Sequence, residues 1–430
     1  MAAALGVLVS CGSVKSGEEV VAASRDSKVV VAYVTSWSEV MPDPQYMTHI
    51  NYAFGHVNES FNGVKIDNEE RLRQIVDLRK QKPELKVLLS IGGWGSGRFS
   101  EMAANDEYRR AFAADCDRVV KEFALDGIDI DWEYPTSSMA NISSSPDDTE
   151  NFTLLMQDIR AAIGNEKELT LATVASARYI DFKAILPSVD FVNIMAYDMA
   201  SAPKHHSALY PSGHSGDITS DGAVTAHLKA GVPPSKLVMG MPFYGRGGDG
   251  YPSFQDYNKV GNTDTQYTEK WDEVAQVPYL ADKNDTLVFG FENPRSLAIK
   301  CQYILDKDLL GGMYWDYSGD NEQGDLRRTV AENLLGKPHK AKVLVLTERG
   351  GQHGGFTDAG LKWLAAEGVK GNFSITEINN ARNITEAYLS QFSLVIQLDF
   401  PPYTWPKEAE DAFVKYIEEG RGDRKSTRLN

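Results

Sequence analysis

Leu125-Asp126-Gly127-Ile128-Asp129-Ile130-Asp131-Trp132-Glu133-Tyr134-Pro135 sets three acids, Asp129, Asp131 and Glu133, on alternate positions between Ile128, Ile130 and Trp132. Successive side chains of a strand point to opposite faces, so the acids share one face and the apolar residues the other. A solvated face on an antiparallel sheet would tolerate such a row, but a parallel barrel strand has no such face. In a barrel the apolar set turns to the helices and the acids to the axis. Like charges about 6–7 Å apart raise at least one pKa and force proton sharing, so the arrangement serves chemistry rather than stability. The deeper pair, Asp129 and Asp131, is expected to hold a shared proton or hydrogen bond. Glu133, nearest the C-terminal end where barrel active sites lie, is expected to stay protonated as a general acid, its pKa raised by the neighbouring carboxylates.

Outward from this segment, short β-rich runs alternate with helical-period stretches. The strands are Val29–Trp37, His49–Phe54, Lys86–Gly92, Gly127–Glu133, Leu169–Ala175, Phe191–Tyr197, Leu237–Phe243 and Gly312–Tyr317. Helices lie between them: one over Glu69–Lys80 with Leu72, Ile75 and Val76 on one face, another with the stripe Phe112, Cys116, Val119, Val120, Phe123. Eight βα units predict an α/β fold of the (β/α)8 TIM-barrel type, although counting alone leaves an open doubly wound sheet available. The long gap between the seventh and eighth strands predicts a small insertion over about residues 247–292, rich in aromatics such as Tyr251, Tyr257 and Phe289, that walls one side of a cleft.

The barrel is expected over residues 27–335, with residues 336–341 as a linker marked by Gly336 and Pro338. A second α/β domain follows over residues 342–422, of flavodoxin-like type. It has strands at Val343–Thr347, Ser374–Ile378 and Leu394–Leu398, helices at Asp358–Glu367 and Pro406–Glu419, and a glycine-rich loop over Arg349–Phe356. The abrupt end, residues 423–430, is set aside as an artefactual tail.

A net charge of −16, from 44 Lys+Arg against 60 Asp+Glu, argues against nucleic acid and against a broad anionic membrane contact. A neutral polysaccharide, bound by aromatic surfaces and hydrogen bonds, fits better. Of the three cysteines, Cys116 and Cys301 lie on buried helix stripes and Cys11 ends a short apolar stretch. Leu8-Val9-Ser10-Cys11 resembles a lipoprotein lipobox, so residues 1–26 are expected to be a leader and Cys11 a lipidation candidate. The chain is then exported, as a cell-envelope lipoprotein or a secreted protein, touching membrane only through that anchor. Adjacent His205 and His206 diverge on an extended segment without a second ligand cluster, so neither metal nor organic cofactor is expected.

The spacing Asp126, Asp129, Asp131, Glu133 resembles the DxxDxDxE pattern of glycoside hydrolase family 18. Ser90-Ile91-Gly92-Gly93, Met195-Ala196-Tyr197-Asp198, Gly240–Arg246 and Gly312-Met313-Tyr314-Trp315 are similar to its other strand-end motifs, in order. The resemblance implies a chitinase-type enzyme cleaving β-1,4-N-acetylglucosamine linkages with retention, the substrate's own acetamido oxygen attacking the anomeric carbon. It implies Glu133 as proton donor, Asp131 orienting the acetamido N–H, Tyr197 bonding its oxygen, and Trp315 as the floor beneath the sugar. Trp94, Asp198, Tyr244 and Arg246, with Met195, Tyr33, Phe54 and Gly93, are the remaining cleft candidates. Asp126, Ser90 and Gly92 are expected to shape strand ends, glycine permitting close backbone approach. Two rival functions share the barrel: an endo-β-N-acetylglucosaminidase acting on N-glycan cores, and a chitin-binding lectin lacking the proton donor, which the presence of Glu133 disfavours. The final 85 or so residues resemble the opening of a ThuA-like domain. The enzyme is expected to act as a monomer on chitin or another N-acetylglucosamine-containing glycan.

Overall fold

Val29–Thr35 (β1), His49–Val57 (β2), Lys86–Gly92 (β3), Gly127–Asp131 (β4), Glu168–Val174 (β5), Phe191–Met195 (β6), Leu237–Pro242 (β7) and Gly311–Trp315 (β8) pair in parallel in chain order. β8 also pairs with β1, Val30 opposite Gly312, so the sheet closes on itself. The (β/α)8 barrel is therefore realised and the open sheet is not. The computed structural model describes residues 28–248, 251–260, 267–336, 341–347, 354–371, 373–398, 405–418 and 422–423. Cys11, Gly350, Gly351 and the tail from residue 424 lie outside them.

Sequence and local structure agree closely in the helix Asp106–Glu122. Asn105 caps it by accepting from the N–H groups of Glu107 and Tyr108, Asp106 and Glu107 sit in the first turn, and Phe112, Cys116, Val119 and Val120 bury one face. Burial pushes the Cys116 thiol well up, leaving an inert apolar filler. After β1 the expected helix is missing: only the 3-10 turn Pro44–Tyr46 forms, because Pro42 and Pro44 remove backbone donors. Four strands stop two residues earlier than the alternation suggests, β4 at Asp131 and β6 at Met195 among them. The Asp131 carbonyl is taken by the Gly93 N–H at 2.8 Å, and beyond it the chain leaves the ladder.

On β4 the two faces separate as the pleat requires. Ile128, Ile130 and Trp132 join the core under the helices, the Trp132 ring lying 5.3 Å from that of Phe99 and 6.0 Å from that of Phe152. The opposite face looks into the barrel, where Val31, Tyr33, Phe191, Val238 and Met313 fill the interior.

Five short antiparallel strands from Tyr244–Gly247 to Leu287–Gly290 make the insertion. Tyr251 and Phe289 pack there with ring centres 4.6 Å apart. Its exit is anchored by a fully buried ion pair, Lys300 with Glu292. Ser207 donates to the same carboxylate at 2.6 Å, and Lys300 also donates to the Ser207 carbonyl at 2.5 Å. Breaking such a pair strands a buried charge, so Lys300→Met is expected to destabilise the fold by about 3–5 kcal/mol. The measurement is a lower urea midpoint at unchanged slope, with partial recovery when Glu292→Gln is added.

The chain divides between Gly336 and Lys337 into two compact units. In the second, Ala341–Thr347 lies between Phe373–Ile378 and Leu394–Leu398 in a parallel sheet, with Gly422–Asp423 at one edge. The helix Lys407–Glu418 buries Ala409, Ala412, Phe413 and Tyr416 in a core with Leu344, Leu346 and Val395. Gly354 and Gly355 do not belong to a loop as expected: they open the helix Gly354–Gly371, which starts four residues before the predicted Asp358. Helix hydrogen bonding tolerates glycine at an end, where least backbone order is lost.

Candidate active site

Asp129 sits mid-strand on β4, fully buried inside the barrel. Its two oxygens accept from Thr170 (2.6 Å), Tyr33 (2.9 Å), Ser90 (2.9 Å) and Asn193 (3.3 Å). Burial raises its pKa while these four donors pull it down. Those donors come from β1, β3, β5 and β6, whose inward-pointing side chains meet in the barrel interior. Asp131 is the group left over. It is 4% exposed, and its Oδ1 has no hydrogen-bond partner. Burial first, then Glu133 and Asp129, raise its pKa well above the usual carboxylate range.

Glu133 stands two residues past the strand, at the mouth. Burial pushes its pKa up to about 7; the Tyr134 hydroxyl opposes that and Asp198 adds to it. The cause differs in rank from the sequence expectation, since desolvation outweighs neighbouring charge. Asp198, which follows β6 in a left-handed turn with φ of 54°, has a side chain 40% exposed, yet partial desolvation pushes its carboxyl up. Arg246 overrides this with a two-pronged contact, Nε to Oδ1 at 2.7 Å and Nη2 to Oδ2, and His206 assists, so the carboxyl stays well below its usual range. Asp198 is therefore an anion facing a carboxylic acid: their environments push the two groups apart.

Above these acids lies a cleft of about 740 Å³. Trp315, at the end of β8, lines it with Phe54 stacked 5.5 Å away and Tyr33 at 5.7 Å. Tyr197 and Met195 line it beside Trp315, and Tyr244, stacked on Phe254 at 4.7 Å, closes the insertion side with Arg246. Trp94, 61% exposed, and Trp37, 64% exposed, stand on the rim. Two glycines make this crowding feasible. A Cβ on Gly92, with φ of 130°, would lie 2.0 Å from the Asp131 carbonyl oxygen, and one on Gly93, with φ of 92°, would lie 2.7 Å from the Phe54 ring. Ser90 reaches Asp129 rather than the cleft, and Asp126 sits at the opposite end of β4, accepting from the Val87 N–H at 2.7 Å and pairing with Arg79.

Of the predicted residues, Glu133, Asp131, Tyr197, Trp315, Met195, Asp198, Trp94, Tyr244, Arg246, Tyr33 and Phe54 share this one cleft. Asp129 lies beneath it, and Gly93 lines an adjoining recess. Sequence reasoning missed Trp37, Tyr134, Met139 and Arg178 in the wall. Trp37 had a readable signal, an aromatic just beyond a barrel strand. Phe254 belongs to the aromatic insertion expected to wall the cleft, and it lines it. Among the described residues no group of three or more His, Cys, Asp or Glu side chains is placed to hold a metal, and no helix is long and apolar enough to cross a membrane.

Comparison with known proteins agrees with this geometry. The model of the glycosyl hydrolases family 18 matches residues 29–320. Chitinase A1 of Niallia circulans is 30% identical over 409 residues, which takes in 70% of this chain and 58% of that protein. Chitotriosidase-1 of Mus musculus is 31% identical over 350 residues, 69% of this chain and 74% of that protein. Among solved structures, a glycoside hydrolase family 18 N-acetylglucosaminidase from Paenibacillus barengoltzii aligns with a TM-score of 0.66 at 32% identity, over 71% of this chain and 100% of that one. A row of acids along one barrel strand, matched in its surroundings across most of the chain, leaves one conclusion: this chain belongs to the glycosyl hydrolases family 18.

Proposed function

We propose that the chain hydrolyses β-1,4 linkages between N-acetylglucosamine units of chitin or chito-oligosaccharides, with retention and with help from the substrate's acetamido group. The observation that carries this reading is Glu133, a half-buried carboxylic acid at the barrel mouth whose pKa of about 7 lets it keep its proton near neutrality. It protonates the leaving oxygen and then takes a proton from the incoming water. Asp131 orients the acetamido N–H and offsets the positive charge of the oxazolinium; Tyr197 steadies the acetamido oxygen and Trp315 supports the sugar's C–H face. A polymeric substrate of this kind lies outside the cytoplasm, which favours export of the enzyme. The second unit we read as the opening of a ThuA-like domain, supported by its parallel sheet with the first strand inside.

The test is digestion of N-acetylglucosamine hexamer beside a high-mannose glycoprotein, with the fresh product's anomer followed by NMR. Oligosaccharide cleavage giving the β-anomer first is expected; release of the protein glycan alone, or the α-anomer first, overturns the reading. The sign of the pH dependence follows from the role of Glu133. The acid form is needed, so the rate of the chemical step holds below about pH 7 and falls as pH rises through it. A rate that instead climbs through that range excludes Glu133 as the acid.

A further inference from the structure

His206 takes no part in the scheme above, yet it is buried against it. Its residue is 1% exposed, and neither ring nitrogen has a well-formed hydrogen bond. Nδ1 stands 3.4 Å from Asp198 Oδ1, and the ring lies tilted on that of Tyr244 with centres 5.4 Å apart. The backbone enforces this placement. The Met199 N–H donates to the His206 carbonyl at 3.0 Å, closing the loop after β6 so that its far end returns beside Asp198. On the other side, a Cβ on Gly290 would lie 3.5 Å from the His205 Cα and 3.7 Å from the His206 backbone nitrogen, so the insertion sheet packs directly on this segment.

We propose that His206 is a positioning residue for the hydrolysis assigned above: it holds the Asp198 side chain in the orientation that Arg246 clamps, in the wall of the cleft that Glu133 also lines. This rests on the reading of Glu133 as the proton donor. The charged groups around the pair are accounted for. Arg246 and Tyr244 come from the insertion strand and Glu133 from beyond β4, while Lys300 and Glu292 meet each other at the adjacent Ser207. His205, the other neighbour, turns away to Asp272 at 3.2 Å. Arg246, the Tyr244 hydroxyl and His206 are therefore the groups that face the Asp198 carboxylate. Without His206 one of the two contacts that lower the Asp198 carboxyl is gone, so it takes up a proton, and the clamp breaks, at less acidic pH.

The experiment compares kcat, KM and pH profiles of the full chain and its His206→Leu and His206→Asn variants on a chromogenic chitobioside. In His206→Leu kcat is expected to fall about ten-fold with KM within about two-fold, and the acid limb of kcat to move to higher pH. His206→Asn, which keeps an amide donor, restores most of kcat. Should His206→Leu fail to fold, as judged by circular dichroism, His206→Ala, which also lacks a donor, takes its place against His206→Asn. Wild-type kcat and an unmoved acid limb in the donor-less variant overturn the proposal alone. A wild-type chain that leaves the chitobioside intact overturns the hydrolase reading and this inference with it.

Discussion

Glu133→Gln is expected to lower turnover of chito-oligosaccharides by about 10³-fold while leaving their binding close to that of wild type. The substitution keeps the size of the side chain and its ability to hydrogen-bond, but removes the transferable proton. Nothing nearby can replace it. Asp198 is held as an anion by Arg246 and His206, and Asp131 lies below the mouth with its unpartnered Oδ1 buried. Water, the other proton source, is a far weaker acid than a carboxylic acid with a pKa of about 7, so solvent is a poor substitute. Binding has its own reporters, because Trp37, Trp94 and Trp315 all line the cleft and their fluorescence changes when a sugar covers them. Turnover of the variant within ten-fold of wild type removes Glu133 from the mechanism. Lost binding together with lost turnover points instead to a collapsed site.

What could be read in the sequence was whatever repeats with the period of its own strand or helix. The acids of β4 alternate with Ile128, Ile130 and Trp132, and both faces go where a buried barrel strand must send them. Asn193 and Thr170 lie on β6 and β5 among apolar neighbours, and nothing local marks either as a ligand of Asp129; only barrel closure brings them together. The same holds for Arg246 and Asp198, 48 positions apart. Strand ends were overrun because side-chain alternation continues after ladder hydrogen bonding stops, as at Glu133. The helix expected after β1 gives way to a 3-10 turn because Pro42 and Pro44 remove backbone donors there, a local signal that the count of repeating units passed over.

Asp131→Asn is expected to separate activity from stability. Activity should fall by about 10²–10³-fold, the usual loss when a group aimed at developing charge is removed from a desolvated site. The amide keeps the shape of the carboxylate, yet it cannot offset a positive centre, and its N–H end repels the acetamido N–H that Asp131 would accept. Stability should move the other way. Burial, Glu133 and Asp129 raise the folded-state pKa of Asp131 well above that of an unfolded aspartate, so the folded chain holds a proton that the unfolded chain releases. A raised folded pKa contributes stability fully below the unfolded value of about 3.9 and loses it as pH rises from there toward the folded value. Near neutrality the wild type therefore bears the cost of keeping this acid buried, and the asparagine variant escapes it. Thermal unfolding of the two proteins should accordingly coincide near pH 4, with the variant melting higher by an increasing margin toward pH 7. A variant that melts lower at pH 7, or that retains wild-type turnover, means that Asp131 is an ordinary satisfied core residue and that the row of acids on β4 serves the barrel rather than the sugar.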